Sequence, residues 1–141
     1  MTTPVLREWT VRTTTGDATT FTGQLLGLGT SAQDYHQHPE DFAPRGTRCS
    51  ACRWFEVTIY RTDGDADARY VVHTIGRSAI PGEEDRHNVT WTDAPDEIIE
   101  VLTQRTRGAA PTLPSPSARA LAQAGTYDEK ILDAYRDRRV A

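Results

Sequence analysis

Two residue periods divide the chain. Between residues 7 and 91 apolar and polar positions alternate in short runs, and from residue 95 onward apolar residues return every three or four positions. A period of two sets side chains on alternate faces of a strand, and a period near 3.6 lays a stripe along a helix. Residues 7–15 are rich in β-branched residues, Gly16-Asp17 supplies turn chemistry, and 18–28 read as a second strand. Gly23, Gly27 and Gly29 in that strand predict a bulge or a fraying end. The strongest strand pattern is 52–61, where Phe55, Val57 and Ile59 alternate with Trp54, Glu56, Thr58 and Tyr60, so the aliphatic set should face a core. Asp63-Gly64-Asp65 turns the chain back into 68–75. A loop with Pro81-Gly82 and the acidic run Glu83-Glu84-Asp85 follows, then a fifth strand at 87–91.

Thr92 or Asp93 then caps a helix, with Pro95 in its first turn and Asp96 and Glu97 on the positive end of its dipole. Ile98, Ile99, Val101 and Leu102 form its apolar stripe, and Gly108 is the expected stop. Residues 108–116 (GAAPTLPSP) have linker composition. Ser115 and Pro116 open a second helix to about Ala124, with Gly125 as its stop. Thr126-x-x-Glu129 is a capping box for a third helix carrying Ile131, Leu132 and Tyr135 on one side. Strands followed by helices indicate an α+β fold: an antiparallel sheet of about five strands with one packed helix, then a linker and two C-terminal helices. The corresponding organisation is a domain over 1–107, a linker over 108–116 and a helical tail over 117–141.

Composition narrows the class. With 141 residues, 37% hydrophobic and 26% charged, the chain can build one modest core. No run approaches the ~18 apolar residues that suggest a membrane span. The first dozen residues lack a charged-then-apolar leader pattern, which predicts a cytoplasmic location. A formal net charge of −4 is not the footprint of a general nucleic-acid binder. Lys130 is the sole lysine, an arginine bias expected of a high-GC bacterial or phage gene. Arg136, Arg138 and Arg139 suit the C-terminal end of a helix.

Candidate chemistry concentrates in the irregular stretch 30–51. His36-x-His38 precedes the only two cysteines, Cys49 and Cys52, spaced C-x2-C. Two nitrogen and two sulfur donors match tetrahedral zinc in type and number, and a structural Zn2+ held by His36, His38, Cys49 and Cys52 would explain how so long a segment stays ordered. The same residues also admit a redox dithiol, a local disulfide, or buried cysteines beside surface histidines. A redox dithiol favours a following helix, whereas Cys52 runs into a strand. A catalytic zinc would need an open position with Glu40 or Asp41 as base, and four ligands close the shell.

The other signals read as structural. Asp63-x-Asp65-x-Asp67 opens like a calcium loop, but Ala68 and Thr74 stand where such a loop needs Gly and Glu. His73 lies on a strand with Val71 and Ile75, as a half-buried, satisfied histidine would, and His87-Asn88 runs directly into a strand. Trp54, Tyr60, Tyr70 and Trp91 could share the second face of the sheet, where aromatic residues can stack bases, or be covered by the helices. There is neither a nucleophile elbow nor a phosphate-binding glycine loop.

The segments Arg48–Glu56 (RCSACRWFE), Gly76–Glu83 (GRSAIPGE) and Ala134–Ala141 (AYRDRRVA) resemble those of small proteins of actinobacteria and their phages. That resemblance implies a context and carries no activity. The leading expectation is a zinc-stapled accessory or regulatory protein, not an enzyme, that binds another protein or a second copy of itself through the C-terminal helices. The alternatives are a nucleic-acid-binding module using Arg45, Arg48 and Arg53, and a metal-dependent hydrolase using His36, His38 and an acidic residue.

Overall fold

The computed structural model describes residues 4–31, 53–64, 68–78, 82–105 and 107–140, with only the backbone of Arg53 and 138–140. Five strands, β1 (Arg7–Arg12), β2 (Ala18–Thr30), β3 (Arg53–Thr62), β4 (Tyr70–Ser78) and β5 (Arg86–Thr92), precede three helices, α1 (Pro95–Leu102), α2 (Ser115–Tyr127) and α3 (Glu129–Val140). The sheet is an antiparallel meander in the order β1-β2-β3-β4-β5. The fold is α+β. The sheet curls until the turn after β1 meets the start of β5, where Thr14 bonds to the backbone of His87.

Curling gives the sheet two different cores. The convex face packs Leu26, Val57, Ile59, Tyr70 and Val72 against Ile98, Ile99 and Leu102 of α1, Ala120, Leu121 and Ala124 of α2, and Ile131 of α3. The concave face encloses Val11, Phe21, Tyr60 and Val71, flanked by Trp9, Leu25, Val89 and Trp91. A bulge at Leu26 sets Leu26 and Gly27 on the same, helix-facing side, because Leu25 pairs with Tyr60 of the concave face and Gly27 with Ile59 of the convex one. The glycine-rich end of β2 therefore contains a bulge and does not fray.

Beyond the bulge, Gly27 and Gly29 lie directly under α2. A Cβ on Gly27 would fall 2.1 Å from the Ala120 carbonyl oxygen, and one on Gly29 would fall 1.8 Å from that of Pro116. The helix thus rests on strand backbone, with small residues at helical spacing (Ser117, Ala120, Ala124) turned inward beside the larger Leu121. β1 pairs with β2 only as far as Gly23, which leaves the rest of that edge without a strand neighbour on the β1 side. Helix α2 supplies partners there: Gln123 Oε1 accepts the Leu28 amide (2.9 Å), and Arg119 donates to the Thr30 carbonyl (2.7 Å). An edge that could template aggregation is occupied by side chains of the chain itself.

Several helix boundaries depart from expectation for local reasons. α1 ends at Leu102, well before Gly108, because Thr103 adopts extended backbone and Gln104 pairs with Thr112 through two backbone hydrogen bonds (2.7 and 2.9 Å). Gly108 instead takes a positive φ of 81° in the turn between them. α2 continues through Gly125 to Tyr127. The missing side chain there admits Leu132 of α3, whose Cβ would lie 3.2 Å from a Cβ at position 125. The capping box at Thr126 and Glu129 does not form. Asp128 takes its place, its Oδ1 accepting the Ile131 amide (3.1 Å), while the Thr126 hydroxyl turns back to the Ala122 carbonyl (3.3 Å).

Gly29→Ala is expected to destabilise the protein by about 3 kcal/mol or more, since the clash is with backbone that cannot rotate away. Gly64→Ala, with open space around it, should change stability by less than about 0.5 kcal/mol. Urea denaturation of the two variants checks this, and equal midpoints would contradict the close crossing.

Candidate functional site

Strand alternation decides which side chains reach the concave face. On β3 these are Trp54, Glu56, Thr58 and Tyr60. The register carries the same face to Val71, His73, Ile75 and Arg77 on β4 and to His87, Val89 and Trp91 on β5. The face has an aromatic end and a polar end. At the aromatic end the Tyr60 ring lies 5.1 Å from Trp9 and 5.2 Å from Phe21, and Phe21 meets Trp91 edge-on at 5.5 Å. Tyr70, expected with this group, occupies the convex core. It is fully buried, and its hydroxyl donates to Asp128 Oδ2 (2.9 Å), which Arg61 also contacts (3.1 Å). Tyr60 and Trp91 are enclosed by the curl of the sheet, Trp54 lies at the polar end, and the helices cover the opposite face.

At the polar end, His73 Nε2 and His87 Nδ1 stand 3.1 Å apart. The ring planes differ by 22°, and the centroids lie 5.3 Å apart, farther than the nitrogens by about the span of one ring. The rings therefore meet nitrogens foremost and not face on face. One nitrogen donates and the other accepts, so the neutral pair needs a single hydrogen between them. Burial above all, then the facing His87 and Arg77 and more weakly Arg12, hold the His73 imidazole down at about 4, against the pull of Glu56. His87 is also lowered, by burial first and then by Arg12 and Arg77, with Asp85 and Glu56 opposing. At neutral pH both rings are uncharged.

Beyond the pair lies a cleft of about 870 Å³ whose lining includes Thr14, Ser31, Trp54, Arg77, Asp85 and Arg86. An ion-pair ladder sets its wall. Arg77 Nε donates to Glu56 Oε1 (2.8 Å) and Arg77 Nη1 to Asp85 Oδ2 (3.0 Å), while the Trp54 indole donates to Glu56 Oε1 (3.2 Å). Asp85 Oδ1 accepts the Ser78 amide (3.1 Å) and so fixes the loop to the end of β4. The cleft presents both signs of charge in ordered positions.

The proposed zinc ligands His36, His38, Cys49 and Cys52 lie outside the described residues, as do Arg45, Arg48, Glu40 and Asp41 and the calcium-loop positions Asp65 and Asp67. Next to that segment, the Ser31 amide donates to the Phe55 carbonyl (3.0 Å) and the Ser31 hydroxyl accepts the Phe55 amide (2.9 Å), so β2 and β3 are clamped where it leaves and rejoins the sheet. Among the described residues no group of three potential metal ligands converges. The sequence pattern leaves His73 and His87 on separate strands and does not single out Glu56, Arg77 or Thr14. The available signal was Glu56, a carboxylate in mid-strand between Phe55 and Val57, which marks the second face as partly polar.

The histidine shift has a definite sign. His73 is lowered in the folded chain, so the unfolded chain binds the proton first. Its contribution is present above the unfolded value of 6.5 and is lost as pH falls towards about 4. The expected loss is at most about 3 kcal/mol. Urea midpoints measured across that range should decline in the wild type and decline less in His73→Gln. Comparisons with protein-family models, with curated proteins and with solved structures find no match to this chain.

Proposed function

We propose that the chain is a small accessory or regulatory protein, not an enzyme, stabilised by a structural zinc at His36, His38, Cys49 and Cys52. It acts by binding another protein at the cleft beyond the histidine pair. The observation that carries this reading is the cleft itself: open, lined by both charge signs, and already ordered by the Glu56–Arg77–Asp85 ladder. Small-molecule sites are typically enclosed and mostly apolar, with few polar groups. An open wall, about half polar and carrying fixed charges of both signs, better suits a polypeptide with charges of its own, for which such complementarity sets register and partner choice. Zinc is supported by the donor set and by the clamp at Ser31 and Phe55, which closes the base of the segment that holds it.

Two measurements test the reading. Elemental analysis of chelator-free protein is expected to give one zinc per chain. Cys49→Ser or Cys52→Ser should lose the metal and melt lower, because structural zinc contributes on the order of 10 kcal/mol in small sites. Metal-free protein with two reactive thiols would remove the zinc. For the cleft, a photo-cross-linking residue placed at Glu84, on its rim, should capture a protein partner in cells. The same residue at Lys130, on α3, should not, and Arg77→Glu should cut the adduct about tenfold. Capture from position 130 instead would move the interface to the helices, and capture from neither position would end the docking reading.

A further inference from the structure

Among the described residues, β1 and its turn bond to β5 at one place. The Thr14 amide and hydroxyl both donate to the His87 carbonyl (3.2 and 3.0 Å), and the Thr14 hydroxyl accepts the His87 amide (2.7 Å). The residue that carries this clasp also carries the ring that meets His73. We propose that the His73–His87 pair is an acid-operated latch. While the pair is neutral, its shared hydrogen bond holds the start of β5 against Thr14; when the pair takes up protons, the start of β5 leaves Thr14 and the cleft changes shape.

The geometry gives the latch its direction. A neutral pair satisfies two nitrogens with one hydrogen, whereas a doubly protonated pair sets hydrogen against hydrogen and charge against charge at 3.1 Å. The first proton already meets opposition. The charged groups facing the pair are Arg12 from β1, Arg77 from β4, Glu56 from β3 and Asp85 from the loop before β5. Both carboxylates are engaged by Arg77, so an imidazolium would share them with a guanidinium. Thr58 and Val89, the strand neighbours of His73, bring no charge. The closed seam therefore loses stability, as pH falls, relative to any state that exposes the rings.

The yielding part is β5. His73 is held between paired strands on both sides, while His87 is the second residue of an edge strand and, among the described residues, is bonded to the turn after β1 through Thr14 alone. Thr14 lines the cleft together with Arg77, Asp85 and Arg86, so release of the clasp alters the wall of that cleft. The consequence, weaker partner binding in acid, rests on the docking reading; the latch itself does not.

Hydrogen exchange followed by NMR, corrected for intrinsic rates, tests the latch. Between about pH 7 and about pH 4.5 the amide at position 87 should lose about tenfold or more of its protection, while the Val57, Ile59 and Val72 amides hold theirs. The double variant His73→Gln/His87→Gln should show no such loss. Thr14→Val should leave position 87 weakly protected at every pH, with the core amides intact. Loss at position 87 that only parallels the core, or loss in the double variant equal to wild type, would overturn the proposal. Cross-linking from position 84 at both pH values separates the two readings: a latch that opens without capture at any pH leaves the latch standing and the docking reading failed.

Discussion

Contact between the backbone of α2 and the backbone of β2 is the constraint on which the architecture rests. Two glycines at alternate strand positions, on the face turned to the helices, let Ala120 and Pro116 carbonyls approach to distances no side chain would permit. That approach brings Gln123 and Arg119 within reach of strand groups that β1 does not cover. It also sets the height at which α2, and α3 behind it, sit above the sheet. The junction between those helices is tied down at Asp128, which is 4% exposed and receives Arg61 and Tyr70 from the sheet while capping α3. A buried carboxylate is costly unless its lone pairs are filled, and here three donors fill them.

With the helices fixed on one face, the other face must find its own cover. A flat meander would leave Trp9, Phe21, Tyr60 and Trp91 in water. Curling turns them on one another, which buries apolar area without a second layer. The curl cannot apply to the aromatic end alone, because strands bend as units. The polar end of the same strands is drawn into a concave wall, and histidines, arginine and carboxylates there are brought close enough to interact. The cleft is thus a by-product of burying the aromatics.

Strand positions, the order of strands and helices, and the alternation within β3 were legible because each depends on neighbours in sequence. The side on which Tyr70 falls was not, because it depends on the register between β3 and β4. Glycine had three meanings that local reasoning merges into one. Gly108 serves a positive φ in a turn, Gly27 and Gly29 admit a helix, and Gly125 admits Leu132 within a continuing helix. Only the first is a property of the residue's own backbone; the others depend on a partner distant in sequence. The His73–His87 pair was hidden for the same reason, since the two residues come together only through the β4–β5 register.

The two cores also rank the strands by how firmly they are held. Strands β2, β3 and β4 contribute to both cores and are paired on both sides over at least part of their length. β1 and β5 are edges, secured by pairing on one side and by aromatic contacts within the curl. Local opening begins where pairing is least, at strand edges with exposed hydrogen bonds. The clasp between Thr14 and His87 lies at such an edge, where three hydrogen bonds to one residue decide whether the curl is closed. A pair of imidazoles placed deeper, between two central strands, could change the stability of the whole fold but would move nothing separately. Placed on β5, next to the clasp, the same change in protonation acts on the part of the sheet that can move while the glycine-seated helices hold the rest.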